Sequence, residues 1–283
     1  MCRKGAEQLG SKWIVTLLGW TVVFALLAPV AHTFWVSFSP DSLLTPPVGV
    51  WSIRWYRSFL SDSRWMAATA RSIVIAAFAA TGSLLVAFPV AVALHRVSAI
   101  DRRLLLPFLM LPALVPPAAL GTGLLPLVHV TRLWGTNLSM VLIHVTLGLP
   151  IALLIIRTHL TRELLELESA AQGLGASPWN ILRRVTLPLT APGLVAAAVS
   201  IFVLSLNESL VSLFLATPNN ETLPSVVWPQ LRYAATPLIA VASCVTSTIG
   251  VLGTMLVSRL LRTRFFRSDV PVLRAGEINS NVS

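Results

Sequence analysis

Six runs of about twenty apolar residues divide the chain, and each is long enough to cross the ~30 Å hydrocarbon core of a bilayer as a helix. A helix satisfies its own backbone hydrogen bonds, which lipid cannot do. The runs cover residues 13–36, 69–94, 104–128, 138–156, 190–215 and 237–258. The sequence therefore predicts an all-α membrane protein with six transmembrane helices.

The composition and the first run agree with this class. Of the 283 residues, 55% are hydrophobic and 11% are charged, as is typical of membrane-embedded chains. The first run is too long for the core of a signal peptide and no small-x-small cleavage site follows it, so we expect a retained helix. The two cysteines, Cys2 and Cys244, lie far apart and give neither a disulfide framework nor a metal-ligand spacing.

Lys and Arg are distributed unevenly among the segments that connect the runs. With the N-terminus placed in the cytoplasm, fifteen of the 21 basic residues fall on inner segments, which is the asymmetry that the positive-inside rule describes. The rule predicts both termini in the cytoplasm, with an N-terminal segment 1–12, a membrane domain 13–258 and a tail 259–283. The net charge of +10 reflects this asymmetry, so we do not expect nucleic acid as a partner.

The outer connection 37–68 is rich in aromatic residues. Trp51, Trp55, Tyr56 and Trp65 are typical of side chains that lie at a membrane–water interface. We expect a short helix in this connection that lies on the membrane surface.

The third run is unusually rich in residues that break helices. It contains Gly121 and Gly123 together with Pro107, Pro112, Pro116, Pro117 and Pro126. Each internal proline removes a backbone hydrogen bond and favours a kink, and broken backbone in a membrane requires protein or a water-filled cavity around it. One interpretation places Pro116, Pro117 and Gly121 on a translocation path, in a helix that bends during gating. The alternative is a static kink.

The connection 157–189 is a polar, small-residue segment between two apolar runs. From Thr161 onwards, apolar residues recur at spacings of three and four, which predicts a helix. Gly175 lets the chain leave that helix, and Ser177-Pro178 is typical of the start of a second short helix, Trp179–Arg184. We expect Leu187-Pro188 to close this helix–turn–helix before the fifth span. An ordinary amphipathic interface helix is the alternative interpretation.

The same segment resembles a motif of the permease subunits of type I ABC importers (MetI-like). In that family Glu-Ala-Ala is followed by three variable residues, a Gly, and then Ile- or Val-x-Leu-Pro. The matching residues are Ala170, Ala171, Gly175 and Val185-Thr-Leu187-Pro188, whereas Ser169 stands at the position of the Glu and Glu168 precedes it. The resemblance implies a cytoplasmic coupling helix that docks into a cleft of an ATPase. The implied coupling residues are Glu168, Ser169, Ala170, Ala171, Gly175, Ala176, Leu187 and Pro188.

The resemblance extends over most of the chain and favours the spermidine/putrescine subgroup. It includes the stretch from Leu206 through Glu208 to Leu215, the Thr222-Leu-Pro224 turn and Thr236-Pro237. Permeases for phosphonate, opine and iron(III) are similar, so these substrates remain alternatives. The resemblance also implies a bacterial inner-membrane location. The implied partners are ATPase subunits, a second permease chain or a copy of this one, a periplasmic binding protein and membrane lipid.

Glu208 is the one acidic residue inside a predicted span, so it is a functional candidate. It could attract a cation that passes through the pore, or it could serve helix packing or a gate, which we favour. Asn207 and Ser212 are placed with Glu208 on the predicted path, where their side chains could bond between helices. His144 is assigned to structural hydrogen bonding, because the histidines show no ligand spacing.

The sequence contains no phosphate-binding loop of the Gly-x-x-x-x-Gly-Lys-Ser/Thr type. We therefore expect a permease without enzymatic activity and without a bound cofactor, with ATP used by a separate subunit. A secondary transporter would need charged coupling residues in several spans. An intramembrane enzyme would need converging His, Asp or Ser groups, and neither pattern is present in the sequence.

Overall fold

The structure is a computed structural model that describes residues 2–233 and 235–265. Its helices are, in chain order, α1 (Cys2–Val36), α2 (Arg54–Ser61), α3 (Ser63–Arg96), α4 (Ala99–Leu114), α5 (Pro117–Val130), α6 (Asn137–Arg157), α7 (Arg162–Gly173), α8 (Pro178–Ile181), a π-helical segment (Leu182–Thr186), α9 (Leu187–Asn207), α10 (Leu210–Leu215), α11 (Leu223–Tyr233) and α12 (Pro237–Phe265). The predicted all-α class is confirmed.

Within the described residues, five helices are long and apolar enough to cross a membrane. These are Thr16–Val36, Ser63–Arg96, Asn137–Arg157, Pro178–Asn207 and Pro237–Leu256. The remaining apolar run is divided into Arg103–Leu114 and Pro117–Val130, which meet at 93°. The prediction of six spans therefore holds only when this bent pair is counted as one.

The break in the third run lies at the tandem prolines. Helix α4 continues through Pro107 and Pro112, whereas Pro116 is extended (φ −55°, ψ 136°) and Pro117 begins α5. A residue that precedes proline is disfavoured in the α conformation, so two consecutive prolines disfavour it at two consecutive positions. Pro117 is tolerated because the first residue of a helix needs no amide donor.

The fifth span differs from the prediction at both of its ends. Leu187-Pro188 does not end the second short helix as predicted. Helix α8, the π segment and α9 form one continuous apolar span that ends at Asn207. Leu187 N donates to Leu182 O, five residues back, and this wider turn makes room for the proline ring. At the other end, the predicted span 190–215 stops at Asn207 and α10 is a separate short helix.

The predicted terminal segments are helical as far as the structure describes them. Helix α1 begins at Cys2, inside the segment 1–12, and α12 continues to Phe265, inside the tail 259–283. The rest of that tail lies outside the described residues. Most side chains of α1 that can be described, such as Leu17, Phe24 and Leu26, are exposed, whereas Val36 at its end is buried.

Two compact units make up the described chain. The first unit comprises the chain up to Ala79, Leu114–His144 and Val203–Gly250. Its core is built around Phe59 and Trp65, with apolar residues of α11 and α12. The short helix predicted in the connection 37–68 is present as α2. Trp65 is buried in the core, however, because it belongs to α3 and packs on Phe59 with ring centroids 5.5 Å apart.

The second unit comprises Ala80–Ala113, Val145–Phe202 and the chain from Val251. Its core combines buried alanines of α3 with Leu153 and Ile156 of α6, Leu164 of α7 and Ile201 of α9. Because alanine adds only a methyl group, helices can approach closely along α3. Leu164 joins the segment 157–189 to this core.

Candidate functional site

The segment 157–189 ends its first helix in a defined turn. Gly175 has φ +83°, Gly175 N donates to Gln172 O (2.9 Å) and Ala176 N donates to Ala171 O (3.0 Å). These are the two bonds of a Schellman motif, which favours glycine at this position. Ser177 Oγ then accepts from Asn180 N (3.4 Å) and Pro178 begins α8. The predicted first helix, glycine turn and start of a second helix are present, whereas the second helix is not closed at Leu187-Pro188 and continues into the fifth span.

Glu168 points into the second unit. It is 9% exposed, and its Oε2 accepts from Arg96 Nη2 at 3.0 Å. Its Oε1 accepts from the hydroxyl of Thr186, which is fully buried. Both carboxylate oxygens are therefore bonded inside the unit, at the wall of a cleft that Ser169 also lines.

The other predicted coupling residues lie at or near the surface. Ser169, Ala170, Gly175 and Leu187 are exposed, while Ala171, Ala176 and Pro188 are half-buried. Ser169 Oγ donates to Leu165 O (2.8 Å), so its hydroxyl proton is used within α7. Two large apolar side chains that the sequence analysis did not assign to the site are also exposed, Leu174 by 90% and Trp179 by 65%. Exposed apolar side chains on a fixed turn are typical of a protein-binding surface.

Three of the predicted path residues meet around α10 in the first unit. Gly121 of α5 is buried, and a Cβ atom at this position would lie 3.3 Å from Phe214 Cβ and 3.4 Å from Val211 Cα. Ser212 is buried and its Oγ donates to Glu208 O (2.8 Å). A side chain at Gly121 would therefore be in tight contact with α10, and Phe214 or the α10 backbone would have to shift slightly.

Glu208 lies between two helices and not inside a span, which corrects the prediction. Its Oε1 accepts from Leu210 N (3.0 Å) and Val211 N (3.1 Å), so the side chain satisfies the free amides at the start of α10. Asn207, the last residue of α9, is exposed, and its Nδ2 donates to Val203 O (2.8 Å). Of the tandem prolines, Pro116 is exposed and Pro117 half-buried.

The turn 216–222 carries a polar cluster that the sequence analysis missed. Asn220 is fully buried. Its Oδ1 accepts from the amide and the hydroxyl of Thr217 (2.6 and 2.9 Å), and its Nδ2 donates to Thr136 O and Leu215 O (both 3.3 Å). All four of its polar contacts lie within the first unit.

Glu221 attaches the same turn to α3. Its carboxylate accepts from Arg64 through Nε (2.8 Å) and Nη2 (2.5 Å), and its carbonyl oxygen accepts from Arg71 Nη1 (3.1 Å). The hydrogen bonds from Arg64 hold the pKa of Glu221 below its ordinary value. The signal in the sequence was the pair of arginines at the start of one predicted span and an acidic residue in another outer connection.

The hydrogen bonding predicted for His144 is present at one ring nitrogen. His144 Nδ1 and Ser205 Oγ share a hydrogen bond of 2.6 Å, and both side chains are buried. Among the described residues, no group of three or more His, Cys, Asp or Glu side chains could hold a metal ion.

Comparison with known proteins gives the family of this chain. Residues 83–266 match the model of the binding-protein-dependent transport system inner membrane component. The chain belongs to this family. It is therefore an inner-membrane permease subunit of an importer, a transport protein and not an enzyme, as predicted.

The relatives agree with the predicted subgroup. The chain is 31% identical over 254 residues to the putrescine transport system permease protein PotI of Escherichia coli K12, covering 86% of this chain and 89% of that protein. It is 27% identical over 209 residues to the spermidine/putrescine transport system permease protein PotC of the same strain, covering 73% of this chain and 79% of that protein.

A solved structure has the same fold. This chain resembles a chain in the crystal structure of a bacterial alginate ABC transporter in complex with an alginate pentasaccharide-bound periplasmic protein. The TM-score is 0.67 at 13% identity, and the match covers 91% of this chain and 96% of that chain. At this identity the likeness establishes the fold alone, the MetI-like permease fold that the motif predicted.

Proposed function

We propose that the segment 157–189 of this permease is the docking site of an ATPase subunit. The observation that carries the proposal is the exposure of Leu174 and Trp179 next to a turn closed by two backbone hydrogen bonds. Apolar side chains held in one position lose little conformational entropy on binding, which favours association. The family motif in the same segment supports this assignment.

The docking proposal is tested by comparing two exposed apolar positions. Leu174→Glu should abolish co-purification of the ATPase subunit and substrate-stimulated ATP hydrolysis, because a charge replaces an apolar contact without loss of an internal one. Val48→Glu is the matched control, since Val48 is 91% exposed but lies outside the segment. Gly175→Glu should also uncouple transport, because a side chain is strained at φ +83°. Normal ATPase binding by Leu174→Glu would contradict the proposal.

The transported solute is proposed to be a polyamine. The supporting observation is the similarity to permeases named for putrescine and spermidine over most of the chain. Uptake of radiolabelled putrescine and spermidine should be ATP-dependent in the reconstituted transporter, with a phosphonate, an opine and iron(III) as alternative substrates. Transport of the phosphonate alone would exclude the polyamine and would leave the importer assignment unchanged.

The proposed translocation path includes Pro116, Pro117, Gly121, Asn207, Glu208 and Ser212. Within it, Glu208 is proposed to hold α10 in place and not to bind the solute, since its Oε1 accepts two amides of that helix. Glu208→Gln should then lower kcat or the stability of the complex and leave KM nearly unchanged. A raised KM with an unchanged kcat would instead assign cation binding to Glu208, because uniform binding would have been lost.

The proposed orientation places both termini in the cytoplasm, with the segment 157–189 on the same side. The support is the excess of basic residues on these segments. A reporter fused after Arg267, in the tail beyond the described residues, should be active only in the cytoplasm, and one at Asn219 only in the periplasm. Further proposed partners are a second permease chain or a copy of this one, a periplasmic binding protein and lipid around α1.

A further inference from the structure

One carboxylate joins three elements of the second unit. Glu168 lies on α7, Arg96 is the last residue of α3, and Thr186 is the last residue of the π segment that leads into α9. Each Glu168 oxygen has a different partner, Oε2 with Arg96 and Oε1 with Thr186. The end of α3 has a second connection to this segment, a hydrogen bond of 3.1 Å between His95 Nε2 and Thr161 O.

The Thr186 partner lies where the helix is irregular. Thr186 ends the stretch in which the helix widens to a π turn, a feature that is frequent at functional sites. Thr190 Oγ1 donates to Thr186 O (2.7 Å), so the polar chain from Glu168 continues into the first turn of α9. From there α9 runs unbroken to Asn207.

The position of Glu168 differs from that of its neighbour on α7. Ser169 is exposed, whereas Glu168 is largely buried at the wall of the cleft that both residues line, and both of its carboxylate oxygens have hydrogen-bond donors. Breaking the bonds of a buried carboxylate costs free energy, because the charge is left without partners. The three elements therefore move together as long as these bonds are kept. While these bonds hold, a movement of α7 would also move the ends of two predicted spans.

We propose that Glu168 is a positioning residue that transmits the ATP-driven movement of α7 to the end of α3 and the start of α9, and that it does not contact the ATPase. The inference rests on the proposed docking of an ATPase on the segment 157–189. It separates two tasks within that segment. The exposed turn binds the partner, and the Glu168 carboxylate, bonded to Arg96 and Thr186, passes the movement on.

The test measures transport per ATP hydrolysed in the reconstituted transporter. Glu168→Gln should lower this ratio roughly 3- to 30-fold, which is the size expected when a coupling network is weakened. Binding of the ATPase subunit should be retained. Glu166→Gln is the matched control, because Glu166 is exposed on the same helix and its substitution removes the same charge, and the ratio should be unchanged.

Thr186→Val provides a second variant should Glu168→Gln fail to assemble. It is nearly isosteric and removes only the hydroxyl that donates to Glu168, so the ratio should fall while Thr186→Ser should retain it. The double variant of Arg96→Gln and Glu168→Gln should be no worse than the more impaired single variant, because the two side chains act through each other.

Failure of this inference can be distinguished from failure of the proposed function. A lower melting temperature with an unchanged ratio of transport to ATP hydrolysis in Glu168→Gln and Thr186→Val would reduce the cluster to a structural role and overturn this inference alone. The absence of ATP-dependent uptake or of ATPase binding in the wild-type transporter would overturn the proposed function as well.

Discussion

Two segments that change the direction of the chain are attached to α3 in different ways. They are the segment 157–189 in the second unit and the turn 216–222 in the first unit. Both change the direction of the chain and both attach to α3 through a Glu–Arg pair. Glu221 gives both carboxylate oxygens to one arginine, Arg64. Glu168 divides its oxygens between Arg96 and the hydroxyl of Thr186.

The two turns also differ in what holds their backbone. The turn 216–222 is organised by a side chain, Asn220, which bonds to four atoms around it. The turn of the segment 157–189 is organised mainly by backbone hydrogen bonds around Gly175, and the one side-chain bond that follows them is the N-cap of Ser177. The turn 216–222 is therefore stabilised mainly by the hydrogen bonds of Asn220, and the Glu221–Arg64 pair adds a further contact with α3. The turn of the segment 157–189 leaves Leu174 and Trp179 exposed, and Glu168 connects α7 with α3 and with the π segment.

The largest effect on stability is expected from Asn220→Ala. Loss of this buried side chain removes four hydrogen bonds, among them those to the Thr217 amide and the Leu215 carbonyl, at a cost of about 2–4 kcal/mol. Thermal unfolding of the purified protein in detergent measures the change. Asn219→Ala is the control, because Asn219 is exposed and surface substitutions usually change stability by less than about 0.5 kcal/mol. Equal effects of the two substitutions would show that the turn is not organised by Asn220.

Substitutions of two nearby glycines test the turn of the segment 157–189. They should change stability less than Asn220→Ala does, and in opposite directions. Gly175→Ala should destabilise by about 1–2 kcal/mol, because φ +83° is left-handed and costs a residue with a Cβ atom about that much. Gly173→Ala lies in the last turn of α7 and should stabilise by about 0.5–1 kcal/mol. No atom lies within 4 Å of a Cβ at either position, so clashes do not contribute. The same thermal unfolding assay distinguishes the two, and a change of the same sign at both positions would contradict the backbone argument.

Glu221→Gln should cost less than either change, about 0.5–1 kcal/mol, since Arg64 is largely exposed and pairs of this kind contribute little. Transport per ATP hydrolysed should stay at the wild-type value, in contrast to Glu168→Gln. This variant is the sharpest test of the comparison. A fall of the ratio in both variants would mean that the two carboxylates do not differ in function.

The smallest effect is a pH dependence confined to the turn 216–222. Arg64 lowers the pKa of Glu221, so the pair stabilises the folded turn above the ordinary glutamate pKa of about 4.3. This contribution is lost as the pH falls through the lowered value, because the protonated carboxyl no longer pairs with Arg64. Limited proteolysis of the turn at pH 3 and pH 6 measures this, and Glu221→Gln should remove the difference that is specific to the pair. Cleavage that is independent of pH in the wild type would contradict the expectation.

Several features could be predicted from the sequence because they depend on near neighbours in the chain. The length of an apolar run determines whether a helix can span a bilayer, Gly175 and Ser177-Pro178 determine where one helix ends and the next begins, and the prolines of the third run favour a kink. The family followed from the same segment, since its motif is a local pattern of small residues and prolines.

The tertiary structure decided what these side chains contact. Glu168 and Arg96 are 72 residues apart in sequence, and Arg64 and Glu221 are 157 residues apart. Such pairs form only after helices pack, and nothing in the local sequence states which arginine an acidic residue will meet. Glu208 also depends on tertiary contacts. The apolar residues around it in the sequence predicted a place inside a span, whereas α9 ends at Asn207 and α10 packs against Gly121. Local sequence sets the backbone preferences, and the shared burial of distant segments determines which polar groups must satisfy one another.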